Sequence, residues 1–101
     1  ALLDDVPKTY ATPEIRIDCP DAIKLRVVDT VKDHFAGKYP MIDLDGLRLS
    51  FPDGWGLLRS SNTQPVLVLR FEASTEKGLA EIRNIVETVL NEKMTEVLTT
   101  L

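Results

Sequence analysis

One cysteine, one histidine and an aromatic share of 6% in 101 residues each close off a class of function. A single cysteine allows no internal disulfide framework, and with one histidine it allows no zinc cluster. Basic residues number 12 against 16 acidic, a net charge of −4, whereas a nucleic-acid module starts from a basic face interleaved with aromatics. No apolar run approaches the roughly 20 residues that span a bilayer. Asp4 and Asp5 interrupt the N-terminal apolar residues and no basic segment precedes them, so no signal peptide is expected. Ala1 rather than Met opens the chain, which therefore reads as a piece of something longer.

What is present suits one compact folded domain: 44% hydrophobic and 28% charged residues supply enough apolar surface to offset chain entropy. Residues 1–13 carry Asp4, Asp5, Pro7, Thr9, Thr12 and Pro13 without a clean period and read as an extended linker. Glu14 to Asp18 alternates, with Ile15 and Ile17 on one face of a strand. Cys19-Pro20-Asp21 opens a helix whose stripe is Ile23, Val27, Val31 and Phe35, and Gly37 caps its end. Met41 to Phe51 returns to alternation, with Asp45-Gly46 either a hairpin turn or a bend. Pro52-Asp53-Gly54 turns the chain into a strand from Trp55 to Ser60. Val66 to Ala73 is the next strand, with Leu67, Leu69 and Phe71 on one face and Val68, Arg70 and Glu72 on the other. Ser74-Thr75-Glu76 starts a second amphipathic helix through Leu79, Ile82, Val86, Val89 and Leu90. Gly78 sits inside that helix at a cost of about 0.8–1 kcal/mol relative to Ala, with no reason visible in the sequence. The order predicts an α+β fold, β-α-β-β-β-α: one antiparallel sheet of four to five strands with both helices on a single face.

The loop Arg59-Ser60-Ser61-Asn62-Thr63-Gln64-Pro65 concentrates hydrogen-bond donors without a negative charge. Phosphate asks for convergent donors and one cation, and a guanidinium meets it bidentately. Consecutive backbone N–H groups in a turn add an anion nest, and Asn tolerates the left-handed conformation such a turn can demand. A plain polar hairpin accounts for the same composition. Arg70 either points into this region or is a solvated strand arginine. Asp43, Asp45 and Asp53 lack the spacing of a calcium loop and read as turn residues. His34 reads as a surface histidine, Cys19 as a small packed residue and Trp55 as core or sheet packing. No nucleophile has a base beside it, so no catalytic residue is assigned.

Asp45 to Phe51, then Gly54-Trp55-Gly56-Leu57-Leu58-Arg59-Ser60-Ser61-Asn62-Thr63-Gln64-Pro65 and Val66 to Ala73, resemble the C-terminal domain of the α-D-phosphohexomutases, in the bacterial phosphomannomutase/phosphoglucomutase branch. Thr12-Pro13-Glu14-Ile15 and the final helix fit as well. The resemblance implies a TATA-binding-protein-like topology, a hinge over Lys8 to Pro13, and a substrate phosphate-binding domain over residues 14–101. It implies a longer cytoplasmic enzyme of four domains, with a phosphoserine, a magnesium site and a sugar loop in the other three and no cofactor held here. Its partner is a hexose phosphate, mannose or glucose 1- or 6-phosphate, with neither nucleic acid nor membrane expected. Arg59, Ser61, Asn62 and Thr63 fall on that family's phosphate loop and hold the phosphate that is not transferred. Gln64 stands where many relatives have Glu, and Val68 where many have Arg, with Arg70 on the same face. Asn62 stands where phosphoglucosamine mutases usually have Gly, which favours a neutral hexose over the amino sugar. The competing expectation is a non-catalytic binding module of the same fold with a different ligand or partner.

Overall fold

In a computed structural model, which describes residues 9–44 and 46–100, the predicted alternations and stripes become eight elements. They are β1 (Tyr10–Ala11), β2 (Ile15–Asp18), α1 (Lys24–Phe35), β3 (Met41–Asp43), β4 (Leu47–Phe51), β5 (Gly54–Ser60), β6 (Val66–Ala73) and α2 (Glu76–Thr99). Every ladder is antiparallel, in the order β1-β6-β5-β4-β3, and β2 shares with β1 the edge of β6 that β5 leaves free.

The sheet has six strands rather than four to five. The added strand, β1, is two residues long, too short for a period of two to register, and lies inside the expected linker. Tyr10 pairs with Ala73 and Ala11 with Glu72. Thr12 N–H donates to Phe71 O at 3.0 Å, and Phe71 N–H donates to Thr12 Oγ1 at 3.1 Å. Residues 1–8 of that linker, Lys8 of the expected hinge included, lie outside the described residues. Met41 to Phe51 is a hairpin, not a bent strand: Met41 pairs with Leu49 and Asp43 with Leu47, leaving 44–46 as its loop. Asp45 itself lies outside the described residues.

Cross-strand register explains the core. Leu47, Leu58, Leu69 and Ile15 form one row across four strands, and Leu49, Gly56 and Phe71 form the next. These rows meet Val27, Val31 and Phe35 of α1 and Ile82, Val86 and Leu90 of α2 in a single cluster, so both helices cover the same face. Burial of these side chains contributes about 1.5–3 kcal/mol each before chain entropy is subtracted. Among the described residues no helix covers the opposite face, which carries Arg16, Arg48, Arg59 and Arg70. There the Arg48 guanidinium lies 4.6 Å from the Trp55 ring centre, and Trp55 Nε1 donates to Glu72 Oε2 at 2.9 Å. Val68 is buried on this face too, set in register between Arg16 and Arg59.

Gly37 takes φ +80° just after α1, and Thr75 Oγ1 accepts from Gly78 N–H at 2.9 Å as the cap of α2. Gly78 now has its reason: a Cβ there would run into the Asp53 carboxylate of the β4–β5 turn.

Candidate functional site

Antiparallel order puts the β3–β4 loop, the β5–β6 loop and the entry to α1 at one end of the sheet. They enclose a cleft of about 570 Å³, lined by Leu25 and Asp29 of α1, Asp43, Gly46, and Arg59 and Asn62 among others. That volume suits a small ligand.

Arg59, one residue before the end of β5, is among the residues that line the cleft, and its side chain lies on the sheet's uncovered face. Its side chain is 43% exposed and the guanidinium's partner, Glu14 Oε1, is distant at 3.4 Å. Such a pair at the surface contributes little and yields readily to an anion. Gly46 makes room for it: φ is +128°, and a Cβ would stand 2.7 Å from Arg59 Cβ and 2.9 Å from Leu58 O. Asn62 is exposed, and among the described residues no group accepts from its N–H or its side chain.

Ser61 and Thr63 are placed differently. Ser61 Oγ turns into its own loop and faces Thr63 N–H at 3.4 Å and Gln64 N–H at 3.3 Å. Thr63 is exposed at the loop tip and does not line the cleft. Of the four predicted residues Arg59 is in β5 and the other three are in the loop that follows it; Arg59 and Asn62 line the cleft, and Ser61 and Thr63 do not. Arg70 lies one row further along the uncovered face, beside Leu57, and is not part of the lining.

The loop is held from outside its own sequence. Lys24, in the first turn of α1, donates from Nζ to Ser61 O and, at 3.1 Å, to Gln64 O. It also pairs with Asp21 at 2.8 Å, and its side chain is only 12% exposed. Arg16 donates to Gln64 Oε1 at 2.8 Å, and Cys19 N–H donates to Pro65 O at 2.8 Å. Sequence reasoning missed Lys24. The available signal was a cation in the first helical turn, where the helix dipole disfavours positive charge. It also missed the acidic wall. Asp43 pairs with Lys32, whose ammonium it holds above the usual lysine range by hydrogen bond and charge, with Asp29 and Asp33 adding smaller contributions.

Of the remaining candidates, Cys19 is buried and burial pushes its thiol up, against a smaller pull from Lys24. His34 is half-buried with its ring edge-on to Phe35. Among the described residues no three His, Cys, Asp or Glu side chains gather to hold a metal ion. No helix of the described residues is long and apolar enough to cross a membrane.

Residues 14–89 match the family described as "Phosphoglucomutase/phosphomannomutase, C-terminal domain". The phosphoglucomutase of Neisseria gonorrhoeae is 42% identical over 92 residues, 88% of this chain and 20% of that protein. The phosphomannomutase/phosphoglucomutase of Pseudomonas aeruginosa is 44% identical over 80 residues, 78% of this chain and 17% of that one. The crystal structure of a phosphoglucomutase/phosphomannomutase family protein from Burkholderia thailandensis matches with a TM-score of 0.72 at 37% identity, over 91% of this chain and 19% of its own. The chain thus spans about a fifth of the length of the relatives it matches.

Proposed function

The chain belongs to the phosphoglucomutase/phosphomannomutase C-terminal domain family, and from that premise we propose that it grips a hexose phosphate by the phosphate not being transferred. In this reading residues 14–101 are one domain of a longer phosphohexomutase, which interconverts hexose 1- and 6-phosphates through a bisphosphorylated sugar. The observation that carries the reading is that one cleft is lined by Arg59, whose guanidinium has a single long contact to Glu14, and by Asn62, which has no partner among the described residues.

The chemistry follows from the donor set. Arg59 supplies the charge and a planar fork for two phosphate oxygens. Asn62 adds neutral donors that discriminate by position rather than charge. Ser61 and Thr63 join only if the loop tightens round the anion, since Ser61 Oγ faces the loop's own N–H groups. The phosphate held here is remote from the bond that breaks, so its binding energy can orient the sugar as well as retain it. The described residues contain no phosphoryl donor recognisable by chemistry, and turnover is assigned to the rest of the enzyme.

Titrating the isotopically labelled chain with glucose 1-phosphate, glucose 6-phosphate and a DNA oligonucleotide tests this. Amide shifts over residues 59–64 with both sugar phosphates and none with the oligonucleotide are expected. Shifts with the oligonucleotide alone would overturn the reading in favour of a binding module with another ligand.

A further inference from the structure

We infer that Lys24 is a positioning residue of the phosphate loop: by holding the carbonyls of Ser61 and Gln64 against α1, it turns the N–H of Asn62 toward the ligand. This rests on the phosphate reading proposed above. A trans peptide is planar, so its C=O and the following N–H point in opposite directions. Lys24 Nζ fixes the direction of Ser61 C=O, and the Asn62 N–H in the same plane must then point away from Lys24. That N–H is without an acceptor among the described residues, and Asn62 lines the cleft beside Arg59.

The second bond, to Gln64 O at 3.1 Å, removes another carbonyl from the anion's surroundings. Carbonyl oxygens repel phosphate as they attract ammonium, so one lysine both withdraws acceptors and exposes a donor. Lys24 does this behind the loop, and it does not line the cleft. Its burial to 12% exposure limits the side-chain freedom it loses and the screening of its bonds. A merely structural role would rest on the pair with Asp21, whose own side chain is 68% exposed and able to contribute little.

The test titrates five labelled proteins with inorganic phosphate and follows the Asn62 amide: the unsubstituted chain, Lys24→Met, Lys24→Arg, Asp21→Asn and Arg59→Ala. Lys24→Met keeps the aliphatic stem and removes the ammonium. It is expected to weaken phosphate roughly tenfold, the value of a charge-assisted hydrogen bond, and to abolish the Asn62 shift, with melting temperature nearly unchanged. Lys24→Arg is expected to recover part of both, and Asp21→Asn to leave both intact. If phosphate moves no loop amide in the unsubstituted chain, or Arg59→Ala binds as well, the phosphate reading fails and takes this inference with it. If Arg59→Ala loses phosphate while Lys24→Met keeps it with the Asn62 shift intact, the role of Lys24 alone is overturned. A Lys24→Met protein that loses melting temperature and phosphate in step with Asp21→Asn also overturns it, in favour of a structural ion pair.

Discussion

Where β4 turns into β5, the polar groups close on one another, and at the other end of the same strands they do not. At the turn, Ser74 N–H donates to Asp53 O at 2.8 Å, Thr75 Oγ1 takes Gly78 N–H at 2.9 Å, and Gly78 leaves room for the Asp53 carboxylate. At the loop end, Arg59 has one long contact to Glu14, and Asn62 has no partner among the described residues. Both ends use a glycine to admit a close neighbour, Gly78 for Asp53 and Gly46 for Arg59. The difference is in the acceptors. The loop's carbonyls are taken up by Lys24, Cys19 N–H and Val66 N–H, and the Gln64 amide oxygen by Arg16. Ser61 N–H donates to Val66 O and the N–H groups of Thr63 and Gln64 face Ser61 Oγ, while among the described residues those of Asn62 are left over. One end closes its polar groups on one another; the other leaves the Asn62 donors open among the described residues, as the proposed phosphate site requires. Substitutions should therefore separate the two properties.

The largest effect belongs to the core that serves both ends. Phe71→Ala should cost about 3–5 kcal/mol, measured by denaturant unfolding, with phosphate affinity per folded molecule unchanged. A loss of affinity out of proportion to unfolding would mean that the ends are not independent. Gly46→Ala comes next and should damage both properties at once. A residue with a Cβ at φ +128° is strained by about 1–3 kcal/mol, and its Cβ would displace Arg59. Melting temperature and phosphate titration on the same protein check this, and a drop in melting temperature alone would show that Gly46 does not set the position of Arg59.

Thr75→Ala and Ser61→Ala sharpen the comparison, one hydroxyl at each end. Loss of the helix cap should cost about 1 kcal/mol of stability and leave phosphate binding untouched. Loss of the loop hydroxyl should do the reverse, costing about 0.5–1.5 kcal/mol of affinity with little change in melting, because its present contacts are long at 3.3 and 3.4 Å. The smallest effect is alkaline. The Cys19 thiol is raised above its ordinary 9.0 by burial, so folding favours its protonated form. The stability this gives is fully present below the unfolded thiol's pKa and is lost as pH rises through the folded value. Unfolding curves across that range should show the loss, and Cys19→Ala should reduce it.

Much of this contrast was written in the sequence, and the remainder was not for physical reasons. Long alternations such as Val66 to Ala73 and stripes such as Ile23, Val27, Val31 and Phe35 report which face is buried, so the sheet and its helix-covered side were legible. So was the donor-rich loop, because its residues are consecutive. Two-residue β1 carries no period. Gly78 looked like a defect until Asp53 was seen beside it. Lys24 reaches a loop 37 residues away, and composition around a loop cannot report what a helix places behind it. The same limit applies to Ser61, whose identity as a donor was plain but whose hydroxyl direction follows from the turn it closes.

The account stands most directly on Arg59. Its Arg59→Ala variant should be compared with the unsubstituted chain in two quantities on the same sample, melting temperature and affinity for glucose 1-phosphate. A guanidinium that grips phosphate predicts an affinity loss of about 1.5–3 kcal/mol with melting almost unmoved. A fall in melting temperature with affinity per folded molecule unchanged would make Arg59 a structural strand-end residue and contradict the account.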